Sequence, residues 1–357
     1  MARAIDLAWR GWGRVQPNPL VGAVVLSGGQ CVAEGWHAEY GEAHAEALAL
    51  AYAGERARGA TLVVTLEPCT HQGKQPPCVD AILRAGIARV VAAATDPDPI
   101  ASGGAARLQA AGLEVEMGLL ADAAVAQNAA FLHRLRNHTR PFVALKLATS
   151  LDGYIADSSG RSRWISGAEA RDYIHWLRAG FDAIAVGGRT ARADDPSLTV
   201  RGSVQPRVTP RRIVFTAIAD LPDTAGLIRT AREIPTLVIA APAVPADAVR
   251  RLEARGVSVV RAESLERALM SLRGMGINSL LVEGGGRLAG ALLAAELVDR
   301  YYLVQSPLWL GDGSIPAIQG LPGVSLEQAK PWRVVERRSL GSDTLLVLDR
   351  DPCLPES

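Results

Sequence analysis

One short constellation limits what this chain can fold into: His44-Ala45-Glu46, then Pro68-Cys69, then Pro77-Cys78 across a loop rich in Gly and Pro. Imidazole nitrogen and thiolate sulfur are the donors that a borderline-soft cation such as Zn²⁺ prefers, and a catalytic zinc takes three protein ligands while a fourth tetrahedral position stays open to water. His44, Cys69 and Cys78 meet that count, so the fold has to bring three separated segments to one point. Glu46, two residues from the histidine and not needed as a ligand, is placed to move protons between water and a substrate, which makes the site hydrolytic. Against this stands a plainer reading, with His44 on a helix face and Cys69 and Cys78 as buried thiols or a disulfide pair among the four cysteines. Disulfide frameworks belong to small secreted chains, and this one has 357 residues and no export signal, which favours the metal. Pro68 and Pro77 stiffen the backbone beside each cysteine, and Gly73 permits the reversal between them.

The length predicts two domains, or one large one. Lys and Arg number 38 against 37 Asp and Glu, with no basic stripe or tail, which argues against a nucleic-acid partner. The N-terminus carries Asp6 inside its apolar stretch and reads as an amphipathic helix rather than a signal peptide. No apolar run reaches the length of a membrane span, so no membrane partner is expected. A reducing cytoplasm, which keeps thiolates available, is the expected setting, and a homo-oligomer stays compatible with everything so far.

The first domain, 1–138, is expected to be a layered α/β unit. A helix is predicted from Ala2 to Trp12 and strands at 21–26 and 32–36. An Ala-rich helix should run from Glu42 to Ala57 with His44 near its start, followed by a buried strand over 61–66 that delivers Cys69. Cys78 opens a helix up to Ala85, whose N-terminal dipole favours a thiolate. A strand at 90–94, a helix at 104–111, a strand at 113–117 and helical spacing from Ala121 to Leu135 complete the pattern. Asn18, between Pro17 and Pro19, is either a turn residue or an amide presented to a substrate ring.

The second domain, 139–357, begins after a polar turn at 137–141. Strands are predicted at 142–148, 183–186, 212–216, 236–241, 257–260, 279–283 and 301–305, with a helix at 168–179. Its most chemical element is the strand ending Glu283-Gly284-Gly285-Gly286, where glycines let a phosphate approach backbone amides at a helix start; a tight structural turn is the alternative. It is not a Rossmann fingerprint, because the motif lies late in the domain and Asp299 precedes its strand rather than ending it. Lys146 on an apolar strand needs a partner or a ligand. Arg178 and Arg201 read equally as phosphate clamps or as solvated charges, and Asp194-Asp195 as functional carboxylates or as a turn before Pro196. The segment 203–212 reads as a solvent-facing loop, and Arg189, Arg192, Arg211 and Arg212 are all candidates to receive a 2′-phosphate.

The pairing H-x-E with a later P-C…C resembles the zinc-dependent nucleobase deaminases, here with eight residues between the cysteines instead of two. Over nearly the whole chain the motifs resemble the bifunctional riboflavin-biosynthesis deaminase-reductases: Pro17-Asn18-Pro19, His44-Ala45-Glu46, Pro68-Cys69 through Cys78, Lys146-Leu147, Ser150-Leu151-Asp152-Gly153, Trp164-Ile165-Ser166, Asp194-Asp195-Pro196 and Glu283-Gly284-Gly285. Leu308 and Asp312 depart from that family, where Lys and Gly are usual.

The resemblance implies a cytidine-deaminase-like three-layer N-terminal domain and a dihydrofolate-reductase-like C-terminal domain. It implies one zinc per chain on His44, Cys69 and Cys78, with Glu46 catalytic, and NADPH held by Ala148, Trp164, Thr190, Asp194, Gly285, Gly286 and Arg287. Ser162, Arg178, Leu198, Arg201 and Glu283, joined by Lys146 and Asn18, would hold a small phosphorylated pyrimidine. The implied work is deamination of a diamino-ribosylamino-pyrimidinone phosphate and then reduction of its sugar. Two other functions fit some of the residues: a deaminase of another nucleoside or of nucleic acid with a C-terminal specificity module, and a zinc-stabilised binding protein.

Overall fold

The computed structural model describes residues 1–162 and 165–350. The chain divides into two compact units, one over 1–136 and one beginning at Asn137. Both alternate helices with strands around mixed sheets, the two-domain α/β architecture.

In the first unit the elements run α1 (Ala2–Ala8), β1 (Gly22–Ser27), β2 (Gln30–Trp36), α2 (Ala45–Ala53), β3 (Thr61–Leu66), α3 (Cys78–Ala85), β4 (Arg89–Ala94), α4 (Gly104–Ala110), β5 (Glu114–Met117), α5 (Ala121–Gln127) and α6 (Ala129–Arg136). The sheet order is β2-β1-β3-β4-β5, antiparallel on the β1 side and parallel from β3 to β5. Alternation along β1, β3 and β4 sends Val25, Leu62, Val64 and Val90 into one core with Ala45, Ala49 and Ile82 from the helices. Truncating a side chain such as Leu62 to alanine there would cost about 2–5 kcal/mol.

The helix predicted from Glu42 begins only at Ala45, because His44 is its N-cap in extended backbone (φ −70°, ψ 159°). That geometry turns the imidazole out of the helix, while Gly54 at φ +56° ends it at Ala53. The expected helix over 2–12 likewise stops at Ala8 and continues as a 3₁₀ turn, Trp9–Gly11.

In the second unit the order is β6 (Phe142–Thr149), β7 (Tyr154–Ala156), α7 (Ala168–Arg178), β8 (Ala183–Gly187), α8 (Gly188–Asp194), β9 (Arg211–Thr216), α9 (Gly226–Arg229), β10 (Thr236–Ala240), α10 (Ala246–Ala254), β11 (Ser258–Arg261), α11 (Leu265–Gly274), β12 (Ser279–Glu283), α12 (Gly286–Ala294), β13 (Arg300–Gln305), β14 (Ile315–Pro316), β15 (Arg333–Leu340) and β16 (Asp343–Asp349). Nine strands form one sheet in the order β11-β10-β9-β8-β12-β6-β13-β16-β15. Pairing is parallel from β11 to β13, so the C-terminal ends of seven strands share one edge, where open α/β sheets bind ligands. The antiparallel hairpin β15–β16 closes the other side and was not anticipated from the sequence.

The loop expected over 203–212 needs correcting at its end. Arg211 and Arg212 already belong to β9, and Arg212 is 1 % exposed. Its guanidinium donates to Thr236 Oγ1 (2.7 Å), Thr230 Oγ1 (2.8 Å) and the carbonyls of Ile234 (3.0 Å) and Leu227 (3.2 Å), which satisfies the buried donors without a carboxylate. Arg212 is therefore a core residue, not a cofactor ligand.

Candidate active sites

The first unit carries the His/Cys/Cys site. Strand β3 ends at Leu66 and delivers Cys69; α3 opens with Cys78; α2 is capped by His44. Their ligand atoms lie within 4.8 Å of one another. His44 Nδ1 is 3.2 Å from Cys78 Sγ and 3.6 Å from Cys69 Sγ, and the backbone N–H of Cys78 donates to Cys69 Sγ at 3.4 Å. Cys69 and Cys78 are free thiols, so the disulfide alternative does not occur. Hydrogen bonds from Cys78 and then from His44 hold the Cys69 thiol down at about 4, against the opposing effect of burial. An imidazole and two sulfurs, one of them with its thiol pKa lowered, are the donor set that Zn²⁺ takes, and the residues present fit the ion.

The surrounding chain fixes this trio. Thr70 Oγ1 donates to Ser102 O at 2.9 Å, and Gln75 Nε2 donates to Gly41 O at 2.8 Å, so the loop between the cysteines is tied at both ends. Gly104 packs so closely behind Pro68 that any side chain there would overlap the Pro68 carbonyl. Glu67, which the sequence reading passed over, is buried and accepts from the N–H groups of Ala105 (2.9 Å) and Asp96 (3.1 Å). It binds the end of β3 to the start of α4, and its position just before Pro68-Cys69 was the available signal.

Glu46 is 4 % exposed and lines a cavity of about 260 Å³ together with His44 and Cys69. Burial, assisted by the neighbouring Cys69, pushes its carboxyl up to about 7, which suits a group that both takes and returns a proton at neutral pH. Asn18 lines the same cavity. His37 Nδ1 donates to Ala43 O at 3.2 Å, so in the neutral ring Nε2 is the acceptor and receives Asn18 Nδ2 at 3.1 Å. Burial lowers the pKa of His37, which keeps that neutral form, and the Asn18 carbonyl oxygen is thereby assigned its side. Asn128 clamps Leu20 from both its N–H (2.8 Å) and its carbonyl (2.9 Å), two residues beyond Asn18. Lys74 lines the cavity too, with its ammonium 4.0 Å over the Tyr40 ring, and a lysine in the Gly/Pro loop was the missed signal.

The second unit carries a cavity of about 1290 Å³ at the C-terminal edge of its parallel strands. Ala148, Thr190, Asp194, Gly285, Gly286 and Arg287 all line it, as do Lys146, Ser162, Arg178, Leu198 and Glu283. Gly285 caps α12 at φ +89°, a backbone open to glycine, and a side chain there would press on the Thr190 hydroxyl. Trp164 lies outside the described residues. Arg201 is exposed and bonded to Ser197 Oγ at 2.7 Å, outside the cavity lining.

Arg178 grips Glu283 bidentately, Nε to Oε1 at 2.6 Å and Nη2 to Oε2 at 2.8 Å, and its third nitrogen donates to Thr199 O at 2.8 Å. Burial would raise the Glu283 carboxyl, but Arg178 and then Lys146 hold it below its ordinary value. Burial pushes the Lys146 ammonium down while Glu283 opposes the shift. Asp194 accepts from Ser162 Oγ at 3.5 Å, whereas Asp195 turns the chain at φ +40° and accepts from Gly226 N–H at 2.7 Å.

Comparison with known proteins places each unit. Residues 1–94 match the cytidine and deoxycytidylate deaminase zinc-binding region, and residues 141–346 match the RibD C-terminal domain. The chain is 39 % identical over 353 residues to the riboflavin biosynthesis protein RibD of Aquifex aeolicus, covering 98 % of this chain and 97 % of that one. It is 41 % identical to RibD of Escherichia coli, covering 98 % of both. Among solved structures it resembles the diaminohydroxyphosphoribosylaminopyrimidine deaminase/5-amino-6-(5-phosphoribosylamino)uracil reductase of Thermotoga maritima, with TM-score 0.80, 33 % identity and coverage of 98 % and 97 %. Acinetobacter baumannii RibD gives TM-score 0.79 at 34 % identity with the same coverage.

Proposed function

The chain belongs to the RibD family of riboflavin-biosynthesis proteins, and on that premise we propose which of its residues carry out the family's two reactions. It is a bifunctional enzyme with zinc and NADPH as cofactors. One activity deaminates 2,5-diamino-6-ribosylamino-4(3H)-pyrimidinone 5′-phosphate; the other reduces the ribosyl side chain of the product to ribityl.

In the deaminase, His44, Cys69 and Cys78 hold the zinc. Bound there, the ion supplies the acidity that brings water to its nucleophilic form near neutral pH. Glu46 takes one proton of water as its oxygen adds to the amine-bearing ring carbon and passes it to the adjacent ring nitrogen, then takes the remaining hydroxyl proton and gives it to the departing nitrogen. The C–N bond breaks, ammonia leaves and the carbon becomes a carbonyl. The Asn18 amide, oriented by His37, holds the ring, and Lys74 at the cavity wall receives the phosphate.

In the reductase, NADPH supplies the hydride. The Gly284–Gly286 turn gives its phosphates close access to the backbone, and Thr190, Ala148, Asp194 and Arg287 border that path. The opened sugar carbon that accepts the hydride is placed by Glu283, itself held by Arg178, with Lys146 as the nearby cation; Ser162 and Leu198 shape the rest of the pocket. The near-neutral net charge of +1 supports a free small-molecule substrate over nucleic acid, and free thiols support a cytoplasmic setting.

The convergence of His44, Cys69 and Cys78 beside a buried Glu46 carries this reading. Incubating the protein with the diaminopyrimidine phosphate and NADPH, and following ammonia together with NADPH absorbance, tests it. Ammonia release followed by NADPH oxidation is expected; NADPH loss without ammonia, or neither, would overturn it.

A further inference from the structure

We infer that Arg189 is the residue by which the reductase tells NADPH from NADH, through the 2′-phosphate on the adenosine ribose. The inference rests on the assignment of NADPH to the large cavity and deepens it.

The cavity follows the C-terminal ends of adjacent strands in one direction. It starts at Lys146 on β6 and Glu283 on β12, passes the Gly284–Gly286 turn and Gly187 on β8, and continues to Thr216–Ile218 at the end of β9 and Ala240–Ala241 at the end of β10. No residue of β13, on the opposite side of β6, lines it. With the reacting end at Lys146 and Glu283 and the diphosphate on the glycine turn, the adenosine end lies over β9 and β10. A site for an unphosphorylated ribose puts a carboxylate at the strand tip to accept from the 2′-hydroxyl, whereas a 2′-phosphate calls for an arginine. The lining over β9 and β10 holds Thr216, Ala217, Ile218, Ala240 and Ala241, none of them acidic.

Of the four arginines the sequence offers, three are committed elsewhere. Arg212 is sealed in the core, and Arg211 opens β9 at its far end and donates to Met275 O at 3.3 Å. Arg192 lines the cavity, but its guanidinium donates to Asp220 O at 3.1 Å with the Asp220 carboxylate 3.7 Å away. Arg189 stands three residues earlier on α8, hence on the same face, over the β9 tip. Gly188 brings the helix there, since a side chain at Gly188 would overlap Thr216. Arg189 is exposed, lines the cavity and has no hydrogen-bond or ion-pair partner among the described residues. The other cavity arginines are placed for other tasks: Arg178 holds Glu283, Arg171 donates to Ser166 O at 2.6 Å, and Arg287 sits on the glycine turn beside the diphosphate path.

Titration calorimetry on the full chain, with NADPH, NADH and adenosine 2′,5′-bisphosphate as probes, tests the assignment on the unmodified protein and on Arg189→Gln, Arg189→Lys and Arg192→Gln. An unchanged thermal unfolding midpoint verifies that each variant folds. Losing a charge-assisted contact to phosphate should weaken NADPH and the bisphosphate roughly 10- to 100-fold in Arg189→Gln, with NADH affinity retained. Arg189→Lys should recover part of the loss, and Arg192→Gln should change NADPH binding less than Arg189→Gln does. Equal weakening of NADPH and NADH, undiminished NADPH binding, or a larger effect at Arg192 would overturn the role of Arg189 alone. Failure of the unmodified chain to bind either dinucleotide would instead overturn the cofactor assignment of the cavity, and this inference with it.

Discussion

Arg178 and Glu283 meet in two parallel hydrogen bonds of 2.6 and 2.8 Å, each side chain nearly withdrawn from solvent at 13 % and 11 % exposure. One comes from the end of α7 and the other from the end of β12, so the pair fixes a helix end against a strand end at the mouth of the reductase cavity. Removing one partner of a largely buried pair leaves the other charge uncompensated and costs about 3–5 kcal/mol. Arg178→Ala should therefore destabilise the second unit by about that amount in urea unfolding and abolish reduction. Ammonia release, measured in the same preparation, should continue, because the deaminase residues all lie in the first unit.

The same pair sets a pH dependence. Glu283 has a folded pKa below its ordinary value, so its contribution to stability is complete above the unfolded value of about 4.3 and is lost as pH falls through the lower folded value. The difference in unfolding free energy between the unmodified protein and Glu283→Gln should stay constant from pH 7 to about pH 5 and shrink below about pH 4. A difference that grows on acidification would contradict the ion pair.

In the deaminase cavity, Asn18 is held by a histidine whose other nitrogen is already committed to Ala43 O. Asn18→Ala removes a preoriented amide from the cavity lining without touching the metal donors. Deaminase kcat/KM should drop roughly 10- to 100-fold, the loss of one or two buried hydrogen bonds, with zinc content by metal analysis unchanged. Loss of zinc in this variant would mean that the segment around Asn18 supports the metal site rather than the substrate.

Much of this architecture could be read from residues, and what could not has identifiable causes. Strand Thr61–Leu66 and helix Cys78–Ala85 match the predicted bounds because turn residues punctuate both: Gly59 before the strand, Pro68 after it, Pro77 and Gly86 around the helix. The helix expected from Glu42 starts at Ala45, since the imidazole has to leave the helical path to reach Cys78, a tertiary demand that local propensity does not register. The β15–β16 hairpin is hard to read locally because charged residues crowd Arg333–Leu340; its partner strand makes it a strand. Alternation shows that Arg211 and Arg212 face opposite ways without telling which faces in, and only the hydroxyls of Thr230 and Thr236 decide it. The cavity lining followed the motifs closely, whereas His37, Glu67 and Lys74 carry no spacing rule and came to the deaminase site through folding alone.

Glu46→Gln keeps the shape and burial of the side chain and removes its proton chemistry. Zinc content, ammonia release from the diaminopyrimidine phosphate, and NADPH oxidation with pre-deaminated substrate are read on one preparation. Full zinc, unchanged NADPH oxidation and ammonia release reduced by about 10²-fold or more should result, the loss that removal of a general acid-base brings. Ammonia release at the rate of the unmodified enzyme, with zinc in place, would contradict that role of Glu46.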